Sequence, residues 1–228
     1  MKILIFDTET TGLPIGRNPS VISTHNWPYM VQLSCILYDT QNNMLIEYIN
    51  EIIKIPDGIN ISRDSQKLHG ISKELTKSKG IDIKIILNRF NKLLNQADTI
   101  IGHNLLFDKN IIMVESLRNK VIQDFKKNKY CTMKNAIQLC NITAYNTDNS
   151  PYLKYPKLWE LNNKLFNYIP NGLHNSMVDV LICLRCYGKM VFDKDYCQES
   201  KQIANLFNEF EILETYEDRA VKNLKRKR

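Results

Sequence analysis

Asp7 and Glu9 stand two residues apart at the end of the run Lys2-Ile3-Leu4-Ile5-Phe6 and lead into Thr10-Thr11-Gly12. Side chains alternate faces along a strand, so the two carboxylates share a face, about 7 Å apart along the chain, while Thr8 points the other way. Two such groups can hold a hard cation between them. Later segments add the same chemistry. Gly102-His103-Asn104-Leu105-Leu106-Phe107-Asp108 brings a third acid, and His174-Asn175-Ser176-Met177-Val178-Asp179 brings a histidine and a fourth. Each motif alone is ordinary: a solvated strand end, a capped helix start, a stray His-x4-Asp. Together, each at the boundary of an expected element, they would form a metal-dependent phosphodiesterase site.

Magnesium takes oxygen ligands and keeps several waters, so a few carboxylates suffice and a substrate phosphate completes the shell. In a two-ion arrangement one ion prepares the nucleophile and the other stabilises the leaving oxygen. Asp7 is expected to bridge both ions, Glu9 and Asp179 to partner it on the nucleophile side, and Asp108 to support the second ion, in part through water. On one continuous helix His174 and Asp179 would lie roughly 140° apart. His174 is therefore expected in the approach loop after Gly172, overhanging the site, with Asp179 one turn inside the helix. An imidazole there suits general-base work near neutral pH. His103 and Asn104 are candidate substrate contacts; a hydrogen-bonded structural role for His103 and an N-cap role for Asn104 are equally open. His69 is read as a helix-end cap, His25 is unassigned, and Trp27 and Trp159 are core or loop anchors.

These residues need elements to carry them. Residues 2–7 read as a strand buried on both faces. Residues 14–29, with Pro14, Pro19 and Pro28, read as a loop. Residues 30–39 and 44–53 flank Gln41-Asn42-Asn43 as a hairpin. Ser62 and Ser72 cap short helices, the first ended by Gly70. Asp82 caps an amphipathic helix with apolar residues at 83, 86, 87, 90, 93 and 94. Residues 98–102 form a fourth strand, Asn104 opens the helix carrying Asp108, and residues 130–132 make a short fifth strand. A helix follows near 134–140. Residues 143–157 read as a loop beside the site, with helices near 158–166, 175–190 and 200–218. The sum is an α/β fold, a mixed sheet covered by helices.

At 228 residues, one elaborated domain is expected, and a hydrophobic fraction of 43% is enough for a sizeable core. No apolar run of 18 residues offers a membrane span, and the N-terminal run is too short for a signal peptide, so an intracellular protein, cytoplasmic or nuclear, with no membrane partner is expected. The six cysteines at 35, 131, 140, 183, 186 and 197 mostly sit in apolar patterns and are expected to be free thiols; Cys183-x-x-Cys186 lacks the second pair a zinc site needs. The net charge of +7 is concentrated at Lys222, Lys225, Arg226, Lys227 and Arg228; without them 26 basic residues face 24 acids. That tail, 222–228, is read as a solvated terminus, an import signal or a salt-sensitive tether for nucleic acid.

Asp7-Thr8-Glu9-Thr10-Thr11-Gly12, His103-Asn104-x3-Asp108 and His174-x4-Asp179 resemble the three motifs of the DEDDh 3′–5′ exonucleases, which include the proofreading subunit of bacterial replicative polymerase, RNase T and oligoribonuclease. Val31-Gln32-Leu33 and Leu68-His69-Gly70-Ile71 are similar to further family segments. The resemblance covers about residues 1–190, with a helical extension at 191–221. It implies a ribonuclease-H-like fold with a five-stranded sheet and two Mg2+ or Mn2+ ions. It also implies release of 5′-mononucleotides from the 3′ ends of single-stranded DNA or RNA, with a polymerase or repair partner where the role is proofreading or repair. Carried over, Asp7, Glu9, Asp108 and Asp179 match the metal acids and His174 the general base. Thr10 and Leu13 match the segment holding the terminal nucleotide, with Leu13 as a wedge under the last base. Ser176 and Val180 stand where the third motif often has Ala, a departure that concerns packing. A catalytically silent nucleic-acid-binding or polymerase-accessory module is the alternative, against which the complete set of acids weighs. An endonuclease or integrase of the same fold is disfavoured by the Asp-x-Glu pair and the third-motif histidine.

Overall fold

Alternation along the first strand organises the molecule. In the computed structural model, which describes residues 1–212, β1 (Lys2–Thr10) lies at the centre of a five-stranded sheet. Its odd residues Ile3 and Ile5 pack into one apolar cluster and its even residues Leu4 and Phe6 into another on the opposite face. β1 is therefore buried on both sides, as its unbroken apolar run requires. It pairs antiparallel with β2 (Met30–Asp39) and parallel with β4 (Thr99–Gly102). The outer strands are β3 (Met44–Ile52) and β5 (Asn128–Cys131), giving the order β3-β2-β1-β4-β5.

The two faces are covered by different helices. On the even face lie α3 (Ile83–Gln96) and α4 (Leu105–Asn119), with Ile86, Leu87, Phe90, Leu93 and Leu94 of α3 fully buried. On the odd face lies α8 (Ser176–Phe192), whose apolar residues surround Ile3, Ile5, Ile36 and Tyr38. Short helices α1 (Arg63–His69) and α2 (Lys73–Lys79) begin where Ser62 and Ser72 accept backbone N–H groups of Ser65 and Leu75. Gly70 closes α1 at φ +74°, a conformation that favours glycine. Asp82 caps α3 through Lys84 N–H.

Three expectations change. Residues 134–140 are not one helix but two single turns, α5 (Thr132–Asn135) and α6 (Ile137–Cys140), divided at Ala136. Residues 143–157 hold a small hairpin, β6 (Thr143–Tyr145) against β7 (Pro151–Leu153), ahead of α7 (Leu158–Phe166). Pro151 is tolerated because it opens a short strand outside the main sheet. The helix expected at 200–218 is α9 (Tyr196–Glu199) followed by α10 (Lys201–Glu209). The rest of that expectation from residue 213, and the basic tail, lie outside the described residues.

All six cysteines are free thiols, and Cys183 and Cys186 are buried packing residues of α8. Among the described residues no helix is long and apolar enough to cross a membrane.

Candidate active site

The carboxylates meet where β1 leaves the sheet. Asp7 and Glu9 are odd residues and face α8, which presents Asp179 from its first turn. One oxygen from each of Asp7, Glu9 and Asp179 lies within 4.8 Å of the other two. Asp108, only 3% exposed in the first turn of α4, arrives from the even face. Its Oδ1 accepts from Thr8 N–H at 3.0 Å and from Thr8 Oγ1 at 2.8 Å. Thr8, pointing away from the other acids, is thus the clamp that draws the fourth acid against the strand.

The fold does not neutralise this cluster. Burial, then Asp108, Asp179 and Glu9, holds the Asp7 pKa well above the usual carboxylate range. Burial and the neighbouring acids push Glu9 to about 8. Asp108 and Asp179 rise to about 7 through burial, against the opposing hydrogen bonds from Thr8 and from His174 N–H. Crowded carboxylates with no cationic side chain among them disfavour their own ionisation, and a divalent cation is what this all-oxygen donor set fits.

His174 sits in the approach turn at φ +68°, outside α8. Its N–H donates to Asp179 Oδ2 at 3.2 Å, tying the histidine to the acid five residues on. The imidazole lines a cleft of about 450 Å³ with Asp7, Asp179 and His103. Partial burial and then the Lys157 charge lower its pKa, which favours the neutral ring.

The remaining candidates divide. Leu13, 83% exposed, projects beside Asn104 and Leu106 into a neighbouring cleft. Thr10 is buried and its hydroxyl donates to Gly12 O at 2.7 Å, so it shapes the turn that presents Leu13. Asn104 holds the N-cap position of α4, yet its left-handed backbone (φ +72°) accompanies a side chain that makes no cap bond; the side chain is exposed toward the Leu13 cleft. His103 has both ring nitrogens engaged, Nδ1 with Thr132 Oγ1 and Nε2 with Pro156 O, each at 3.0 Å. Its structural reading prevails over substrate hydrogen bonding, for neither nitrogen has a vacant valence in the neutral ring.

Further residues stand beside the site, among them His69, expected as a helix-end cap, and Trp159, expected as a core or loop anchor. His69 Nε2 meets Thr10 O at 3.2 Å while its Nδ1 accepts from Ile71 N–H, so it joins the end of α1 to the end of β1. Met133, Tyr155, Lys157 and Trp159 line the His174 cleft. Their signal was the interleaving of Tyr, Lys and Trp over 152–159. Ser176 is accommodated by Ser34: its hydroxyl lies 2.5 Å from Ser34 Oγ, which in turn donates to Asn50 Oδ1.

A sheet with this strand order, helices on both faces and acids converging on the end of its central strand is the ribonuclease-H-like architecture. Residues 4–187 match the family model for the RNase T exonucleases, and the chain belongs to that exonuclease family. Among solved structures it resembles Escherichia coli exonuclease I in complex with a dA16 oligonucleotide. That match has a TM-score of 0.60 at 18% identity, covering 90% of this chain and 45% of that one. Exonuclease I of Methylocaldum szegediense gives a TM-score of 0.60 at 15% identity over 86% of this chain and 42% of that one. The chain thus spans less than half the length of these relatives. No curated protein matches it by sequence.

Proposed function

We propose that this chain removes 5′-mononucleotides one at a time from the 3′ end of single-stranded nucleic acid. The observation that carries the reading is the clustering of Asp7, Glu9 and Asp179 within 4.8 Å, with Asp108 beside them. When bound, two Mg2+ or Mn2+ ions would supply activation of the attacking water and stabilisation of the charge on the leaving oxygen. Asp7, Glu9 and Asp179 are the residues to hold them, with Asp108 in support. Water attacks the terminal phosphodiester phosphorus, the bond to the 3′ oxygen of the preceding nucleotide breaks, and a ring nitrogen of His174 takes the proton released by the water. His174 lines the cleft shared by Asp7 and Asp179, and burial and the Lys157 charge favour its neutral form. Leu13 supports the last base from the other side. The likeness to exonuclease I bound to DNA oligonucleotides favours single-stranded DNA.

The test is digestion in Mg2+ of matched single-stranded DNA and RNA, labelled at either end. A 3′ label should be released at once as a mononucleotide, and a 5′ label should move through a descending ladder. Internal cuts, or release from the 5′ end, would reject the proposal.

A further inference from the structure

The body of the protein is nearly neutral, yet one groove beside the acids is not. A cleft of about 350 Å³ is lined by Lys109 of α4, Lys129 of β5 and Lys134 of α5. Leu106, 51% exposed, lines both this cleft and the cleft of about 360 Å³ that holds Leu13 and Arg17. The two clefts share Leu106 at the start of α4, and among the described residues that line them four are basic and none is acidic. Among the described residues none of the three lysines is paired with a carboxylate. Lys109 follows Asp108 in α4, and Lys134 follows Met133, which lines the His174 cleft. Large exposed apolar side chains alternating with basic ones match the faces of bases and the charges of phosphates.

We infer that this groove carries the nucleotides on the 5′ side of the scissile end, with bases against Leu13 and Leu106 and phosphates over Lys109, Lys129 and Lys134. The inference rests on the exonuclease reading and narrows its substrate to a strand of several nucleotides rather than a dinucleotide.

The experiment compares wild type with the K109Q/K129Q/K134Q variant. Fluorescence anisotropy measures affinity for a thymidylate dodecamer and a dinucleotide at two salt concentrations. Hydrolysis of the p-nitrophenyl ester of thymidine 5′-monophosphate reports the terminal-nucleotide site separately. The variant should bind the dodecamer about tenfold or more weakly at low salt. Its salt slope should fall by about 2, from three lost phosphate contacts at ~0.7 each. Its loss on the ester should be several-fold smaller than its loss on the dodecamer. Unchanged dodecamer affinity would overturn the inference and turn attention to an acidic protein segment as the occupant. Equal losses on the dodecamer and the ester would overturn it too, by placing the lysines at the reaction centre. If wild type bound the dodecamer through the lysines yet hydrolysed neither substrate, the exonuclease reading would fail while the groove stood.

Discussion

Helix α4 buries two acids seven residues apart, Asp108 and Glu115, each 3% exposed, and treats them in opposite ways. Glu115 has a partner. Its Oε1 accepts from Arg118 Nη1 at 2.8 Å and from Met30 N–H at 3.0 Å. The same guanidinium donates to Pro28 O, Thr24 O and Trp27 O and lies 4.0 Å from the Tyr29 ring centroid. Among the described residues Asp108 is held by Thr8 and a backbone N–H of its own helix turn, with no basic partner, and the charge acting on it is the Asp179 carboxylate. Buried charge is normally paired or costly. The fold meets that requirement where an acid has an architectural task, fastening loop 14–29 to the sheet. It leaves the requirement unmet where the acids converge on the cleft. The unmet charge is therefore a property of the site, which a bound cation would complete.

The strongest challenge to this contrast is Asp7→Ala. It should abolish turnover in Mg2+, a loss beyond about 10⁴-fold if the acids hold the ions that drive the chemistry. It should also raise the melting temperature of the metal-free protein by a few degrees, since relief of on the order of 1 kcal/mol of repulsion has that effect in a chain of this size. Near-normal activity would reject the assignment; a folded but less stable metal-free variant would show that the cluster is not under repulsive load.

His174→Ala should come next, lowering the rate by about 10²- to 10⁴-fold, the usual contribution of a positioned general base. Calorimetric Mg2+ binding should survive because the carboxylates remain. Lost metal binding would instead make His174 part of the ion site.

Glu115→Ala tests the paired acid. Arg118, whose side chain is only 12% exposed, would lose its counter-charge. Removing one partner of a buried pair costs about 3–5 kcal/mol, and the remaining carbonyl acceptors place this case at the lower end. Chemical denaturation should show that loss, while the rate per folded molecule changes mainly through KM as loop 14–29 loosens. A collapse of kcat at full occupancy would dissolve the distinction between the two acids.

This division also marks how much the sequence disclosed. Asp7 and Glu9 were readable because strand alternation and an apolar run are local signals. Ser62, Ser72 and Asp82 were readable because a cap acts within three residues. The α3 stripe followed from its period. What stayed hidden depends on contacts between distant segments. Nothing local says that Thr8 clamps Asp108, that Glu115 and Arg118 fasten residues 24–30, or that Lys109, Lys129 and Lys134 share a cleft. The β6–β7 hairpin was missed because three-residue strands give no period, although tyrosines flanking Asn146–Ser150 were its trace. Asn104 was read as a cap from its residue type, whereas its αL backbone directs the side chain elsewhere.

His103 gives the smallest effect and the finest test of the walls around the site. It carries the 154–159 segment through Pro156 O, as Arg118 carries loop 14–29, but with a neutral ring. Burial lowers its pKa to about 4, below the ~6.5 of an unfolded chain. The sign follows: between those values the unfolded chain binds the proton and the folded one does not, so the ring's contribution is complete above about pH 6.5 and declines toward pH 4. His103→Gln should cost about 1–2 kcal/mol at neutral pH, the value of a buried hydrogen bond or two. The difference between wild type and variant should then shrink as the pH falls below 6.5 and reverse toward pH 4, because only wild type bears the cost of keeping the imidazole unprotonated, about 3 kcal/mol by then. Melting curves of both proteins across that range cancel the titrations they share. A gap that stayed constant with pH would mean that His103 titrates alike in the folded and unfolded chains, and that the 154–159 segment is not held by a neutral imidazole. Loosening of Tyr155 and Trp159 should appear as a modest rise in KM with kcat preserved, since His174 is held by its own turn and by Asp179.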